Sequence, residues 1–377
     1  MKQRKIIENV IITICFIVVI AFPWVATFLG VEDNLSGAEE KIEFSFENVD
    51  DYIIQNFPGR AFLVRSKNQI LYSLFDISPN SSITKVNDTL FSTETLNYYY
   101  HGLHKVYGKD VDELIRKLKK FNEICVSKNK KFAIIITPQK TRYYNGVLPF
   151  ADDIILAYQY EKPVNSYNIF RQKLEETELN YFDCIDYIDK NKNQILGGKV
   201  PLFYNTSHHW TNYKANLVGV ALQDFLRKKL EMKVPMVTVK ASPSELPSFP
   251  DADLFRVLNI YDKPNEDYYS SVVSLDTYDN DNFSFTIQGG SFLGGLLFPF
   301  TTLSVFGEVL HIENKTCIYD KYSKDVDFES YDDLDKQLGL LNHLRKTNVY
   351  ILEINELNVY NASFGFLDYL LEHEEDI

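Results

Sequence analysis

The chain has 377 residues, 45% of them apolar, and a formal charge of −13 at neutral pH. That length admits one large domain, or one domain with an appendage, and the acidic balance speaks against a nucleic-acid binder or a polyanion scavenger. The 4 cysteines have no CxxC spacing, so neither a metal site nor a disulfide framework can be read from them; small buried hydrophobes and a single disulfide both stay open.

In chain order, Val10 to Leu29 come first, 20 positions without a charge. At about 1.5 Å per residue they span the roughly 30 Å of a bilayer's hydrocarbon core. Lys2, Arg4 and Lys5 precede them, and Glu32 and Asp33 follow. Basic flanks stay in the cytoplasm, so the pattern predicts a single-pass anchor with a cytoplasmic N-terminus and an extracytoplasmic body. A cleaved signal peptide is the rival, but its apolar run is shorter and ends in a small-residue site that is missing here. Three bases and one acid precede residue 32, which leaves −15 for the remainder. Residues 32–84 read as an acidic spacer followed by short helices broken at Pro58–Gly59, and 85–377 as the main domain.

An α/β rhythm follows. Apolar residues from Val111 to Ile124 at helical spacing predict a helix over 110–128. Phe132–Ile136 is a continuous apolar run, as in a strand buried on both faces. Further helices are expected at 165–179, opened by Asn165, at 213–230 and at 334–345, with strands at 181–185, 283–288 and 349–354. Residues 241–270, with several Pro, Ser and Asp, read as a long loop or insertion. Alternation of this kind predicts a mainly parallel sheet covered on both faces, with chemistry at the carboxyl ends of its strands.

Two places meet that criterion. Ser291 follows strand 283–288 directly, after Gly289 and Gly290, which permit a sharp turn. A helix beginning there would aim the Ser291 N–H, with the glycine amides, at a developing oxyanion. The plainer alternative is a serine capping a helix. The second place is the adjacent pair His208 and His209 just before the 213–230 helix, where an imidazole can act as a base and where His208 and Trp210 can line a substrate pocket. The plainer alternative is a capped loop with a packed tryptophan. Adjacent histidines diverge, and no HExxH or acid cluster accompanies them, so no metal is expected.

Taken together these segments resemble the SGNH-hydrolase-like proteins of exported polysaccharide O-acetylation, the AlgJ/AlgX-like or DHHW family. HHWTNYKA (208–215) is similar to the family's "HWT..GA" and QGGSF (288–292) to its "GDSF", in that order. NFPGRAFLVR (56–65), KVNDTLF (85–91), FAIIITPQKTRYYNGVLP (132–149) and VYILEINEL (349–357) resemble its weaker segments. The resemblance implies a three-layer α/β/α SGNH-hydrolase-like fold with permuted motif order. It also implies Ser291 as nucleophile, His209 as base, and a multipass membrane acyltransferase (MBOAT type) that hands over the acetyl group for a polysaccharide. No cofactor is expected. Two departures stand out: the family's aspartate two residues before the histidine is Ser207, and that of "GDSF" is Gly290. Three outcomes follow for the orienting group. Ser207 bonds the imidazole, or Glu353 or Glu356 at the end of the last strand replaces the acid, or the site only binds. The expected function is an O-acetyltransferase; a non-catalytic scaffolding subunit and an acetyl esterase are the alternatives.

Overall fold

The computed structural model describes residues 59–101, 108–144, 166–276, 282–314, 316–319 and 324–377, with scattered positions between 10 and 25. Those positions (Val10, Thr13, Ile14, Ile17, Ala21 and Val25) are helical. The expected anchor as a whole, the acidic spacer and Asn165 lie outside the described residues. No helix among the described residues is long and apolar enough to cross a membrane.

Contacts divide the chain into two compact units, one of residues up to Lys85 with Leu254–Pro264, the other of Val86–Asp253 with Asn265–Ile377. In the smaller unit, helix α1 (Arg60–Leu74) runs unbroken from Gly59, whose left-handed φ of 77° makes the turn into it. Asn68 on α1 donates to Leu258 O at 2.8 Å, and Gln69 accepts the N–H groups of Tyr261 and Asp262.

The larger unit is a layered α/β structure. Its main helices include α2 (Gly108–Ser127), α3 (Ser166–Glu175), α4 (Cys184–Lys190), α5 (Asn212–Lys229), α6 (Phe292–Thr302), α7 (Tyr331–Leu338), α8 (Leu340–Lys346) and α9 (Phe366–Glu372). The strands of its central sheet and of its ribbon are β1 (Lys131–Thr137), β2 (Tyr181–Asp183), β3 (Val237–Ser244), β4 (Tyr268–Leu275), β5 (Phe285–Gly289), β6 (Val309–Glu313), β7 (Thr316–Tyr319), β8 (Lys324–Asp327) and β9 (Val349–Asn355). The central sheet has the order β8-β7-β6-β5-β9-β1-β2. The strands from β6 to β2 run parallel, and β7 and β8 add an antiparallel edge.

Side-chain alternation divides each strand between two cores. Ile134, Ile136, Tyr350 and Leu352 pack on one face with Phe121 of α2 and Phe170 of α3. Ala133, Ile135, Ile287 and Ile351 pack on the other with Val218 and Leu222 of α5 and Leu293 and Leu296 of α6. The central strands are therefore buried on both faces, as the runs FAIII and VYILEI suggested, with Thr286, Gln288 and Glu353 as buried polar exceptions.

The structure corrects several expectations. The helix expected over 334–345 is two helices, separated at Gly339, which takes a φ of 68°. The stretch expected as a loop at 241–270 is an arm whose base is an antiparallel ribbon of β3 and β4, registered from Val237 opposite Leu275 to Ser244 opposite Tyr268. Strands β6 to β8 have no counterpart in the sequence reading. Cys125, Cys184 and Cys317 are buried free thiols, so these three form no disulfide.

The docking of α5 on α6 places the site. Pro299 inside α6 has no N–H to give the carbonyl of Gly295 one turn earlier. The buried Asn216 of α5 supplies the missing donor, its Nδ2 reaching Gly295 O at 2.6 Å. Gly219 lets the two backbones approach, since a Cβ there would stand 2.5 Å from Leu296 O. Gly219→Ala is accordingly expected to destabilise the protein by about 1–3 kcal/mol through overpacking, despite Ala's better helix propensity. Urea denaturation measures this; a variant as stable as the parent would show that the helices separate freely.

Candidate active site

Strands β1, β5 and β9 are parallel neighbours and end at one edge of the sheet, beside the point where the strand order switches. Strand β5 (FTIQG) is buried throughout, and the chain emerges from it through Gly290 to the exposed Ser291. Ser291 stands at the N-cap position of α6, but its side chain makes no capping hydrogen bond. Its Oγ instead lies 2.7 Å from His209 Nε2. The serine's hydroxyl is thus committed to an imidazole, which sets aside the simple capping alternative.

His209 precedes α5, whose N-cap is Thr211, accepting the Lys214 N–H. Its other ring nitrogen, Nδ1, lies 2.5 Å from Asp253 Oδ2, while Asp253 Oδ1 accepts the His208 N–H at 2.7 Å. Asp253, His209 and Ser291 therefore form one continuous hydrogen-bonded row. Burial tends to raise the Asp253 pKa; the bond to His209, the charges of both histidines and the His208 N–H outweigh it and hold the carboxyl below its usual value. The pairing's contribution to stability is therefore fully present above the ordinary carboxylate value of about 3.9 and is lost as pH falls through the lowered one.

Asp253 comes from the arm between β3 and β4, 44 residues after His209 in sequence. The arm is fastened along the segment leading into α5. Ser207 Oγ bonds Pro250 O at 3.0 Å, Asn212 Nδ2 donates to Phe249 O at 2.9 Å, and Asn212 N–H donates to Asp251 Oδ1 at 3.3 Å. Asp251 also places a carboxylate at the N-terminus of α5, where the unpaired N–H groups of the first turn favour an anion.

The other expected residues fall elsewhere. Ser207 is fully buried, and its Oγ lies against backbone only, at 3.0 Å from His209 O and Pro250 O and accepting the His209 N–H at 3.1 Å. It fixes the backbone of His209 and not the ring. Glu353 lies beneath the serine turn, where it accepts the Gly290 N–H at 2.7 Å and the Thr137 hydroxyl. Glu356 accepts the Gln139 N–H at 2.6 Å and pairs with Arg142. Burial raises the pKa of both glutamates, against these hydrogen bonds and, for Glu356, against the Arg142 charge. Neither bonds His209. Gly290 cannot offer its amide to an oxyanion, because Glu353 holds it. Gly289 is a buried strand residue whose Cβ would meet Glu353 Cβ at 2.6 Å.

Trp210 is 1% exposed and donates to Phe292 O at 3.0 Å, so it bolts the histidine segment to α6 and does not line a pocket. His208 packs edge-on against His209 and Phe292, and desolvation drives its pKa down to about 3. The residue that sequence reasoning missed is Asp253. Its only signal was an acid in an insertion lying between the histidine and serine motifs.

Among the described residues, no group of histidine, cysteine and carboxylate side chains could hold a metal ion. No protein-family model and no curated protein matches the chain. Solved structures do. The O-acetyltransferase domain of Pseudomonas putida AlgJ is similar at 16% identity and a TM-score of 0.41, over 74% of this chain and 92% of that one. Bacillus cereus PatB1 is similar at 10% identity and a TM-score of 0.44, over 74% and 97%. Pseudomonas aeruginosa AlgX is similar at 14% identity and a TM-score of 0.41, over 76% and 66%.

The geometry removes one of the expected outcomes, a bond from Ser207 to the imidazole, because Ser207 Oγ meets backbone atoms of His209 and Pro250. A carboxylate at 207 would restore the family's motif, but it would sit among the carbonyls of His209 and Pro250 without a hydroxyl to donate. Facing two carbonyls with only the His209 N–H to accept, Ser207→Asp is expected to lower stability by about 1–3 kcal/mol and to give no gain in ester hydrolysis. Thermal melts and hydrolysis of 4-nitrophenyl acetate measure it; a gain in activity would return the orienting role to position 207.

Proposed function

We infer that this chain transfers acetyl groups to hydroxyls of a polysaccharide through an acetyl-serine at Ser291. The observation that carries the reading is the Asp253–His209–Ser291 row, in which an acid, an imidazole and a hydroxyl are bonded in the order that serine acyl transfer requires. As Ser291 Oγ attacks the acetyl carbonyl, its proton passes to His209 Nε2, and Asp253 stabilises the imidazolium. The tetrahedral oxyanion meets the Ser291 N–H at the start of α6, ahead of the Leu293 N–H, which already donates to Gly290 O at 3.1 Å. Collapse expels the donor's oxygen, which takes the proton from His209. A sugar hydroxyl then gives its proton to His209 and attacks the acetyl-serine, releasing the ester and restoring Ser291. With water in place of the sugar, the same cycle is ester hydrolysis.

The polysaccharide as acceptor comes from the motif resemblance. So does the acetyl donor, a multipass membrane acyltransferase of the MBOAT type. The apolar run at 10–29 with its flanking charges supports a membrane-anchored body outside the cytoplasm, where polymer hydroxyls are met. What favoured a purely binding subunit was the absent carboxylate beside His209; Asp253 removes that ground.

Incubation with 4-nitrophenyl acetate is expected to add one acetyl group to the peptide containing Ser291, detected by mass spectrometry. The adduct should be absent in Ser291→Ala and should decay faster when an oligosaccharide is added. An adduct that persists in Ser291→Ala, or none in the parent, would refute the nucleophile. Formation without any acceleration by sugars would leave an esterase.

A further inference from the structure

One buried cation takes no direct part in that chemistry. Lys140 follows β1 in the turn Pro138-Gln139-Lys140 and is 2% exposed. Its Nζ lies within hydrogen-bond distance of four carbonyl oxygens: Leu90 at 2.7 Å, Tyr204 at 2.8 Å, Asn205 at 3.0 Å and Ser207 at 2.7 Å. Three of the four belong to the turn that leads directly into His209.

The opposite ends of the same peptide groups meet a carboxylate. Glu266, just before β4, accepts the Asn205 N–H at 2.7 Å, the Thr206 N–H at 3.2 Å and the Thr206 hydroxyl. The 204–207 turn is therefore held with its carbonyls on a cation and its amides on an anion, so its peptide dipoles are aligned between two charges. Burial lowers the Lys140 pKa to about 7, with Glu266 and then Asp253 opposing. The carbonyls themselves favour the charged form.

We propose that Lys140, with Glu266 as its counterpart, is a positioning residue for His209: the pair fixes the turn that sets the imidazole between Ser291 and Asp253. The proposal rests on the reading of that row as catalytic. The chain from cation to base is short and continuous. Lys140 holds the Ser207 carbonyl, Ser207 Oγ accepts the His209 N–H, and the His209 ring bonds Ser291 and Asp253. An uncharged replacement would leave the Tyr204 and Asn205 carbonyls with only the Ser207 and Leu90 N–H groups and would take from the buried Ser207 carbonyl the donor that holds it, so the end of the turn next to His209 would rearrange to find another.

The test compares the full chain with Lys140→Met and Glu266→Gln. Displacing a base by about 1 Å costs on the order of 100-fold in rate. Lys140→Met is accordingly expected to lower kcat for 4-nitrophenyl acetate by about 100-fold with KM within about twofold, and Glu266→Gln to act in the same direction by about tenfold. A purely structural role predicts losses only in proportion to unfolded protein. The discriminating readout is the low-field proton resonance of the short His209–Asp253 hydrogen bond, identified by its absence in Asp253→Asn. It should vanish or shift in folded Lys140→Met. A folded Lys140→Met that keeps both the resonance and kcat within about threefold would overturn the proposal, since a base moved by 1 Å would lose far more. Should Lys140→Met fail to fold, an unchanged Glu266→Gln in both readouts would overturn it equally. If the parent protein turns over no ester, the catalytic reading fails, and the resonance alone still decides whether Lys140 positions His209.

Discussion

The site depends on one requirement of imidazole chemistry: a neutral ring takes a proton only at the nitrogen that carries none, and a hydrogen bond from the other nitrogen's N–H to an acceptor fixes which nitrogen that is and where it points. In this protein that acceptor is Asp253, 2.5 Å from His209 Nδ1. The bond fixes the tautomer, turns Nε2 toward Ser291, and gives the imidazolium an opposite charge when it forms. Other features of the site serve to bring that carboxylate to that ring. The β3–β4 ribbon projects the arm, Ser207 and Asn212 bond its Pro250 and Phe249 carbonyls, and the His208 N–H takes the second carboxylate oxygen.

Charges buried near the sheet's edge follow one rule: each is surrounded by fixed partners. Glu353 holds an amide and a hydroxyl, Glu356 an amide and a guanidinium, and Lys140 four carbonyls. This explains why the two glutamates cannot serve His209, although both stand at the carboxyl end of β9. Their lone pairs are already engaged, and withdrawing either from its partners would strand a buried donor or cation. Glu353 gains a different importance. It braces the Gly290 amide directly behind the serine, where the family's motif has an aspartate and this chain has glycine.

Much of the fold was legible because its strands are buried on both faces, so FAIII and VYILEI read as parallel-sheet strands without an alignment. The amphipathic helix of 108–127 was equally plain. The break at Gly339 was not, since helical periodicity continues through it, and only the backbone shows the left-handed residue. Ser291 and His209 were legible because motif and strand position coincide. Asp253 was not, for a physical reason: its partner is 44 residues away in sequence, and what joins them is backbone hydrogen bonding between an arm and a helix start, which leaves no periodic trace. The resemblance misled at the same point, since it directed attention to position 207, where the hydroxyl binds only main chain.

The central claim is that Asp253, and not Ser207, Glu353 or Glu356, is the acid behind His209. Stopped-flow measurement of Ser291 acylation by 4-nitrophenyl acetate in the parent protein and in Asp253→Asn tests it most directly, with thermal melts to establish that the variant is folded. Loss of the orienting acid from a serine triad costs on the order of 10⁴-fold, and a folded Asp253→Asn is predicted to lose acylation rate by about that amount. A folded variant that acylates within about tenfold of the parent, short of any triad's dependence on its acid, would contradict the account.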